Sequence, residues 1–330
     1  MKKLAIEDIY TPTDNEWDLI WKDCNYATYF HSREWAQIWN VYLKGKSYPC
    51  PKLIHFSDEK KALIPFSVQE SFKGLTKTYV SSPEGTYGGW ISDDELDVPH
   101  GKLIVNHLYN EYPNLLWFIN PYDSLISKLN IKPTVQDQTY AIDMSAGFDN
   151  AYNKWTSKKR SRVRYAKESG VVVRQAKTLS DWLAYYEVYE DSIRRWGKKA
   201  TTNYREELFV ELFNRASNNI KLSLAVFENQ IVAGSLCFYA KKHAVGWHAA
   251  SLEKFLRTGM AILLAHDAFK DACDNGYSWF DLNPCGGHEG VRQYKKEFGT
   301  IELAAPVVNI EAPFKKTLNA AYKLVNKKAA

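Results

Sequence analysis

Leu252-Glu253-Lys254-Phe255-Leu256-Arg257-Thr258-Gly259-Met260-Ala261 leads into an apolar periodic stretch that ends at Asn275-Gly276. A strand-like run, Trp279-Phe280-Asp281-Leu282, follows it. A glycine-containing loop then reaches Tyr294-Lys295-Lys296-Glu297-Phe298-Gly299. Ala261, Leu264, Ala265, Ala268 and Ala272 fall on one face at helical spacing, so the first stretch predicts a helix from Gly259. A glycine at a helix start lets backbone N–H groups approach an anion, and the helix dipole favours it there. The order is therefore a phosphate-cradling helix, a strand beside it and a lysine brought to the same cleft. It suits a site that receives an activated acyl group from a phosphate-bearing carrier.

Upstream, Ile220, Leu222, Leu224 and Val226 alternate. So do Val232, Gly234, Leu236 and Phe238 beyond a turn at Glu228-Asn229-Gln230, and a third strand spans His243 to Ala250. Before these, Trp182, Tyr186, Tyr189, Ile193 and Trp196 repeat at helical spacing, with Ser180 or Asp181 as cap and Gly197 as stop. A further helix is expected from Tyr204 to Ala216. A basic helix is expected from Phe148 to Glu168, ending at Ser169-Gly170, between strands Thr139–Met144 and Val171–Arg174.

The first half has a similar layout. Ser32 can cap a helix through Trp39. Lys52–Phe56 and Ala62–Gln69 read as paired strands around Ser57–Lys60. A glycine-rich connection holds Tyr87 and Gly88. A helix from Gly101 to Tyr112 precedes the strand Leu115–Ile119. The pattern restarts near residue 138, which divides the chain into 1–137 and 138–330. The class is α/β, with mixed, mainly antiparallel sheets flanked by helices.

Composition sets bounds. With 330 residues and 45% hydrophobic content, two domains with sizeable cores are affordable and global disorder is not expected. A net charge of +5 permits an anionic partner without demanding one. The 5 cysteines are scattered and odd in number, with no CxxC pair, so neither a disulfide framework nor a metal site is expected and a reducing compartment fits. The N-terminus carries acids where a signal peptide needs an apolar run, and no window is apolar enough to span a membrane. The expected location is cytoplasmic.

Four stretches carry a family likeness. They are Phe30–Trp35; Tyr140–Met144 with Lys159–Val171; Ile231–Leu236; and Tyr294-Lys295 with Phe298-Gly299. In order and spacing the chain resembles the GNAT superfamily, in particular the two-domain Fem-like acyltransferases and their acetyltransferase relatives. The resemblance implies two tandem GNAT-like domains, the first degenerate for donor binding and on the acceptor side. It also implies amide formation by direct attack of an amine on an activated carbonyl. No insertion matches the helical arm carried by many Fem enzymes that handle lipid-linked wall precursors, which leans toward the acyl-CoA relatives. The acceptor implied is an amine on a sugar or peptide precursor of the cell envelope.

The site candidates follow. Arg257, Thr258, Gly259, Met260 and Ala261 form the donor-binding candidate. Against the R/Q-x-x-G-x-G/A pattern, Leu256 stands at the first position, while Gly259 and Ala261 keep the later two. The same residues also suit an ordinary capped helix. Lys295, which the family pattern Phe/Tyr-Lys-x-x-Phe-Gly singles out, would stabilise the developing oxyanion. Asp281 would orient the amine, act as a weak base or cap a turn. Arg160 and Arg164 share a basic helix face with Lys167 and could contact phosphates or tRNA. Tyr87 and Gly88 could line an acceptor pocket. Cys285 and His288 lack an orienting third group for nucleophilic catalysis. Phe314 to Lys328 reads as a basic amphipathic helix, Phe314, Leu318, Ala321, Leu324 and Val325 inward, able to pack on the first domain or touch anionic lipid. The expected reaction is N-acylation from acyl-CoA. Aminoacyl-tRNA as donor is a second reading, and a pair of domains that only binds a nucleotide or glycan is a third.

Overall fold

A computed structural model describes residues 3–84, 86–197, 200 and 202–319. The chain divides into two units: Met1–Asn25, Phe30–Asp137 and Ala304–Ala330 form one, and Tyr26–Tyr29 with Gln138–Leu303 form the other.

The first unit contains β1 (Ile6–Tyr10), α1 (Asp14–Asp23), α2 (Arg33–Tyr42), β2 (Ser47–Pro49), β3 (Lys52–Phe56), β4 (Lys61–Ile64), β5 (Ser67–Ser71), β6 (Thr76–Val80), α3 (Val98–Glu111) and β7 (Leu115–Phe118). β1, β3 and β4 make a small sheet; the strand Val307–Ile310, β7, β6, β5 and β2 make a second, in that order. Ile54, Phe56, Ile64, Ile104, Leu108 and Trp117 are among the side chains packed in its core. The strand expected over Ala62–Gln69 is broken. Pro65 has no N–H to continue a ladder, so β4 pairs with β3 while β5 joins β2 and β6 in the other sheet. α3 begins at Val98, before the expected Gly101, because Asp97 caps His100 and a proline occupies the first turn.

The second unit contains β8 (Gln138–Asp143), α4 (Phe148–Asn153), α5 (Ser157–Glu168), β9 (Val172–Gln175), α6 (Leu179–Trp196), α7 (Glu206–Asn214), β10 (Ile220–Phe227), β11 (Gln230–Tyr239), β12 (His243–Ser251), α8 (Met260–Asp274), β13 (Trp279–Asp281), α9 (Glu289–Lys296) and β14 (Ile301–Ala304). Its seven strands lie in the order β14-β8-β13-β12-β11-β10-β9. β9 to β12 are antiparallel neighbours, whereas β12 and β13 run parallel. A parallel pair needs a crossover, and α8 supplies it.

The single basic helix expected over Phe148–Glu168 is two helices. Trp155, 2% exposed, turns into the core against Phe269 and Phe298, and Thr156 caps α5. That break rotates Lys159 inward. α6 is capped by Thr178, with Asp181 as the N3 partner of a capping box, rather than by Ser180 or Asp181. α7 starts at Glu206, two residues after the expected Tyr204. α9 occupies a stretch read as loop.

The chain after Ala304 falls in the first unit, because Val307–Ile310 pairs with β7. Phe314 is 61% exposed rather than inward, and Lys315 instead is buried, its Nζ donating to Thr78 Oγ1 at 2.7 Å. Ala321, Leu324 and Val325 lie outside the described residues. No described helix is long and apolar enough to cross a membrane.

The capping box at Thr178 gives a first expectation. Thr178→Ala should lower unfolding free energy by about 1 kcal/mol, read as a shifted urea midpoint at unchanged slope.

Candidate active site

β12 and β13 pair over only three positions, His243–Val245 against Trp279–Asp281. β13 then ends, while β12 continues to Ser251 along β11. The reason lies in Asp281. It is fully buried, and its Oδ1 accepts from Thr139 Oγ1 at 2.7 Å and from the N–H of Asn283 at 2.6 Å. This side-chain turn sets Asn283 in the left-handed region at φ 64° and sends the chain away from β12. Asn283 Nδ2 donates to Gly246 O at 3.0 Å, holding the corner where the two strands part. β12 is also irregular here: its ladder with β11 skips Trp247.

The parted strands leave a cavity of about 550 Å³. Gly246 to Ser251 form one wall, and α8 contributes Ala261, Leu264, Ala265, Ala268 and Phe269. β13 and the residue after it add Phe280 and Leu282; α9 adds Val291, Tyr294 and Lys295. The α8 alanines leave the room that larger side chains would fill. The size lies within the ordinary range for small-molecule sites.

Lys295 and Ala261 both line this cavity. Lys295 is 8% exposed, and its Nζ donates to Asn283 O at 2.7 Å and Pro284 O at 3.0 Å. It thus clamps the turn after β13 to α9 while placing a cation in the wall. The accompanying Phe298-Gly299 explains itself structurally. Gly299 has φ 68°, and a Cβ there would stand 2.6 Å from Lys154 Cβ and 2.9 Å from Lys154 O. Phe298 is fully buried against Trp155. Lys159 sits 3.4 Å from the Tyr294 ring centroid and 3.5 Å from a Glu297 oxygen, so α5 and α9 are joined. Burial pushes its ammonium down to about 8, against the pull of Glu297.

The donor candidates gather at the mouth of α8. Arg257 is exposed beside Leu256, which lines the cavity. The Arg257 carbonyl accepts from Arg162 Nη1 at 2.9 Å. Thr258 gives its hydroxyl to Phe255 O, and Met260 is fully buried. Gly259 is left-handed at φ 79°, and a Cβ there would meet Arg162 O at 2.9 Å. The glycine therefore serves the close approach of α5 to α8. Among the described residues no side chain caps α8, which leaves its first turn to other acceptors.

The remaining candidates stand elsewhere. Asp281 is not among the lining residues, although its neighbours Phe280 and Leu282 are. Arg160 donates to the carbonyls of Asn153 and Trp155, and Arg164 is exposed on α5. Tyr87 and Gly88 belong to the first unit; Tyr87 is buried against Tyr122, and Gly88 packs on Ser81 where a Cβ would come within 2.4 Å. Cys285 is buried beside Arg292, whereas His288 is exposed at the start of α9. Among the described residues no cluster of His, Cys, Asp or Glu could hold a metal.

Sequence reasoning missed His248 and Arg195. Arg195 donates to Ser251 O at 3.1 Å and fixes the end of β12. His248 Nδ1 lies 2.7 Å from the Tyr185 hydroxyl, under a ring cluster that includes Tyr189 and Phe209. Gly234 makes room for Tyr185, since a Cβ there would sit 2.4 Å from its ring. Burial pushes His248 down to about 4, so it is neutral at neutral pH. Nothing in the local run Trp247-His248-Ala249 signals this, because the burial comes from α6 and α7.

Residues 140–296 match the model of the acetyltransferase (GNAT) domain family. That match lies within the second unit, and the chain carries a GNAT-type acyltransferase fold. Within that class the fold is Fem-like. The crystal structure of FemX superposes with a TM-score of 0.69 at 12% identity, over 91% of this chain and 97% of that one. The structure of L-PGS from Bacillus licheniformis gives 0.57 at 11%, over 95% and 97%. The C-terminal domain of a putative lysylphosphatidylglycerol synthetase from Agrobacterium fabrum gives 0.57 at 12%, over 96% and 97%. No curated protein sequence matches the chain.

Two outcomes are expected. Gly299→Ala should cost roughly 2–3 kcal/mol of stability, because backbone strain and a clash with Lys154 coincide, measurable by denaturant unfolding. His248 binds a proton in the unfolded chain below its ordinary 6.5 that the fold refuses until about 4. Its contribution therefore makes stability fall as pH drops through that window. His248→Phe should lose less unfolding free energy than the unaltered protein between about pH 7 and about pH 5.

Proposed function

We propose that the second unit is an N-acyltransferase that takes an acyl group from acyl-CoA and gives it to an amine on a sugar or peptide precursor. The observation that carries the reading is the parting of β12 from β13 beside an uncapped helix start. One wall of the cavity is the β13-side edge of β12, which beyond Val245 has no strand partner among the described residues, and the amides of an extended pantetheine arm can pair with such an edge. Phosphates at the first turn of α8 would meet backbone N–H groups, with Arg257 and Arg162 beside them. The acyl carbon would then lie inward, towards Lys295.

The chemistry balances without a cofactor-borne step. The neutral amine attacks the thioester carbonyl, and its C–N bond forms as the carbonyl π pair moves to oxygen. The Lys295 charge favours that oxyanion. On collapse the C–S bond breaks, and the proton lost by the amine ends on the departing thiolate. Asp281 acts behind the wall, by holding the turn that keeps the cavity open.

A second reading, an aminoacyl group carried by tRNA, draws on the exposed Lys158, Arg164 and Lys167 of α5. It predicts salt-sensitive tRNA binding that weakens when Arg164 and Lys167 are neutralised.

Acetyl-CoA at about a hundred times its Kd should stabilise the protein by about 2.7 kcal/mol, seen as a raised Tm. Arg257→Ala should weaken that binding roughly tenfold, with little change in the Tm of the free protein because the side chain is exposed. Lys295→Met should lower kcat by about 100-fold at temperatures where it stays folded. If neither variant alters binding or turnover, the site lies elsewhere.

A further inference from the structure

The charge of the cavity wall narrows the group that can be transferred. Arg195 and Lys295 line it, and among the described residues no aspartate or glutamate does. His248 adds no charge, being neutral. The carboxylates near the wall are engaged: Asp281 by Thr139 and Asn283, Asp191 by Arg195 at 3.9 Å and by the N–H of Glu253 at 3.0 Å, and Asp267 beside His266 Nδ1 at 2.7 Å. Glu297, two residues beyond Lys295, pairs with Lys159. The inner wall of Leu264, Ala265, Ala268, Phe269, Phe280 and Leu282 is apolar throughout.

We infer that the transferred acyl group is apolar and carries no ammonium, so that aminoacyl groups are rejected by the cavity itself. The inference rests on the acyl-CoA reading and names the class of acyl group within it. An aminoacyl ester carries an ammonium beside or near its carbonyl. Inside this cavity that charge would lose water and meet no carboxylate of the lining, only Arg195 and Lys295, while Asp191 is already held by Arg195. A buried charge without a partner is strongly disfavoured, and a like charge adds to the penalty. An alkyl group of the same shape meets apolar walls and gains from burial. The same cations lower the pKa of an incoming amine, so the acceptor reaches the carbonyl uncharged although no carboxylate base lines the cavity.

Butyryl-CoA and β-alanyl-CoA make the test, because they differ by a terminal methyl against a terminal ammonium on chains of equal length. Their Kd values for the full chain are measured by titration calorimetry, which needs no acceptor. Butyryl-CoA should bind at least about 100-fold more tightly. Val291→Asp supplies a second arm. Val291 lines the cavity from α9 and is 40% exposed, so a carboxylate there is compatible with folding. It should bring the two Kd values to within about 10-fold of each other. Equal binding of both thioesters by the unaltered protein, or preference for β-alanyl-CoA, overturns the inference and leaves the acyl-CoA reading standing. Failure of both thioesters and of CoA to bind overturns the acyl-CoA reading and this inference together. A tenfold or greater preference for butyryl-CoA that Val291→Asp leaves unchanged shows that the wall charge is not its cause, and overturns the inference too.

Discussion

The site depends on one constraint: β12 and β13 stay paired for three positions and no further. Had β13 continued, its backbone would fill the edge of β12 and no cavity would exist. The short pairing is built from a buried carboxylate. Asp281 accepts from Thr139 on β8 and from the Asn283 backbone, so the strand ends in a left-handed residue. Asn283 then reaches back to the Gly246 carbonyl. Burying that carboxylate unpartnered would be costly, and the hydrogen bonds offset it. The result is an opening whose width is set by covalent geometry and hydrogen bonds, not by loop flexibility.

Around that opening, α9 is held from two sides. Lys295 donates to the carbonyls of Asn283 and Pro284, tying the helix to the turn after β13. Lys159 ties it to α5 through Tyr294, Phe298 and Glu297. One motif, Tyr294-Lys295…Phe298-Gly299, therefore joins cavity wall and core. Its lysine faces the cavity, its phenylalanine fills the core, and its glycine lets the chain pass Lys154. Preorganisation of this kind matters for acyl transfer, because a cation already fixed in place needs no reorganisation as the oxyanion forms.

Much of the architecture was legible in the sequence. Period-2 runs marked β10 and β11, helical spacing marked α6 and α8, and Gly170, Gly197 and Asn275-Gly276 marked the ends of α5, α6 and α8. Some failures were local, since Pro65 breaks the strand over Ala62–Gln69 and Asp97 starts α3 early, while tertiary contacts decided the others. A continuous basic run over residues 148–168 hides the break at Trp155, which follows from the core position of that ring. α9 carries Gly290 and polar residues, and Lys295 ties it to the turn after β13. Gly259 was legible as special, but its need is the approach of the Arg162 carbonyl. Of the candidate residues, Lys295 and Ala261 come together at the cavity with Arg257 near its rim. Asp281 stands behind the wall. His248 and Arg195 were silent, because side chains distant in sequence define their surroundings.

On the proposed reading the open edge of β12 and the first turn of α8 together hold an acyl-CoA. Amide hydrogen exchange, followed by mass spectrometry with and without saturating acetyl-CoA, tests it most directly. Exchange should slow mainly in Gly246–Ser251 and in Met260–Leu263. Unchanged exchange in both segments, with acetyl-CoA bound or protection appearing elsewhere, would contradict it.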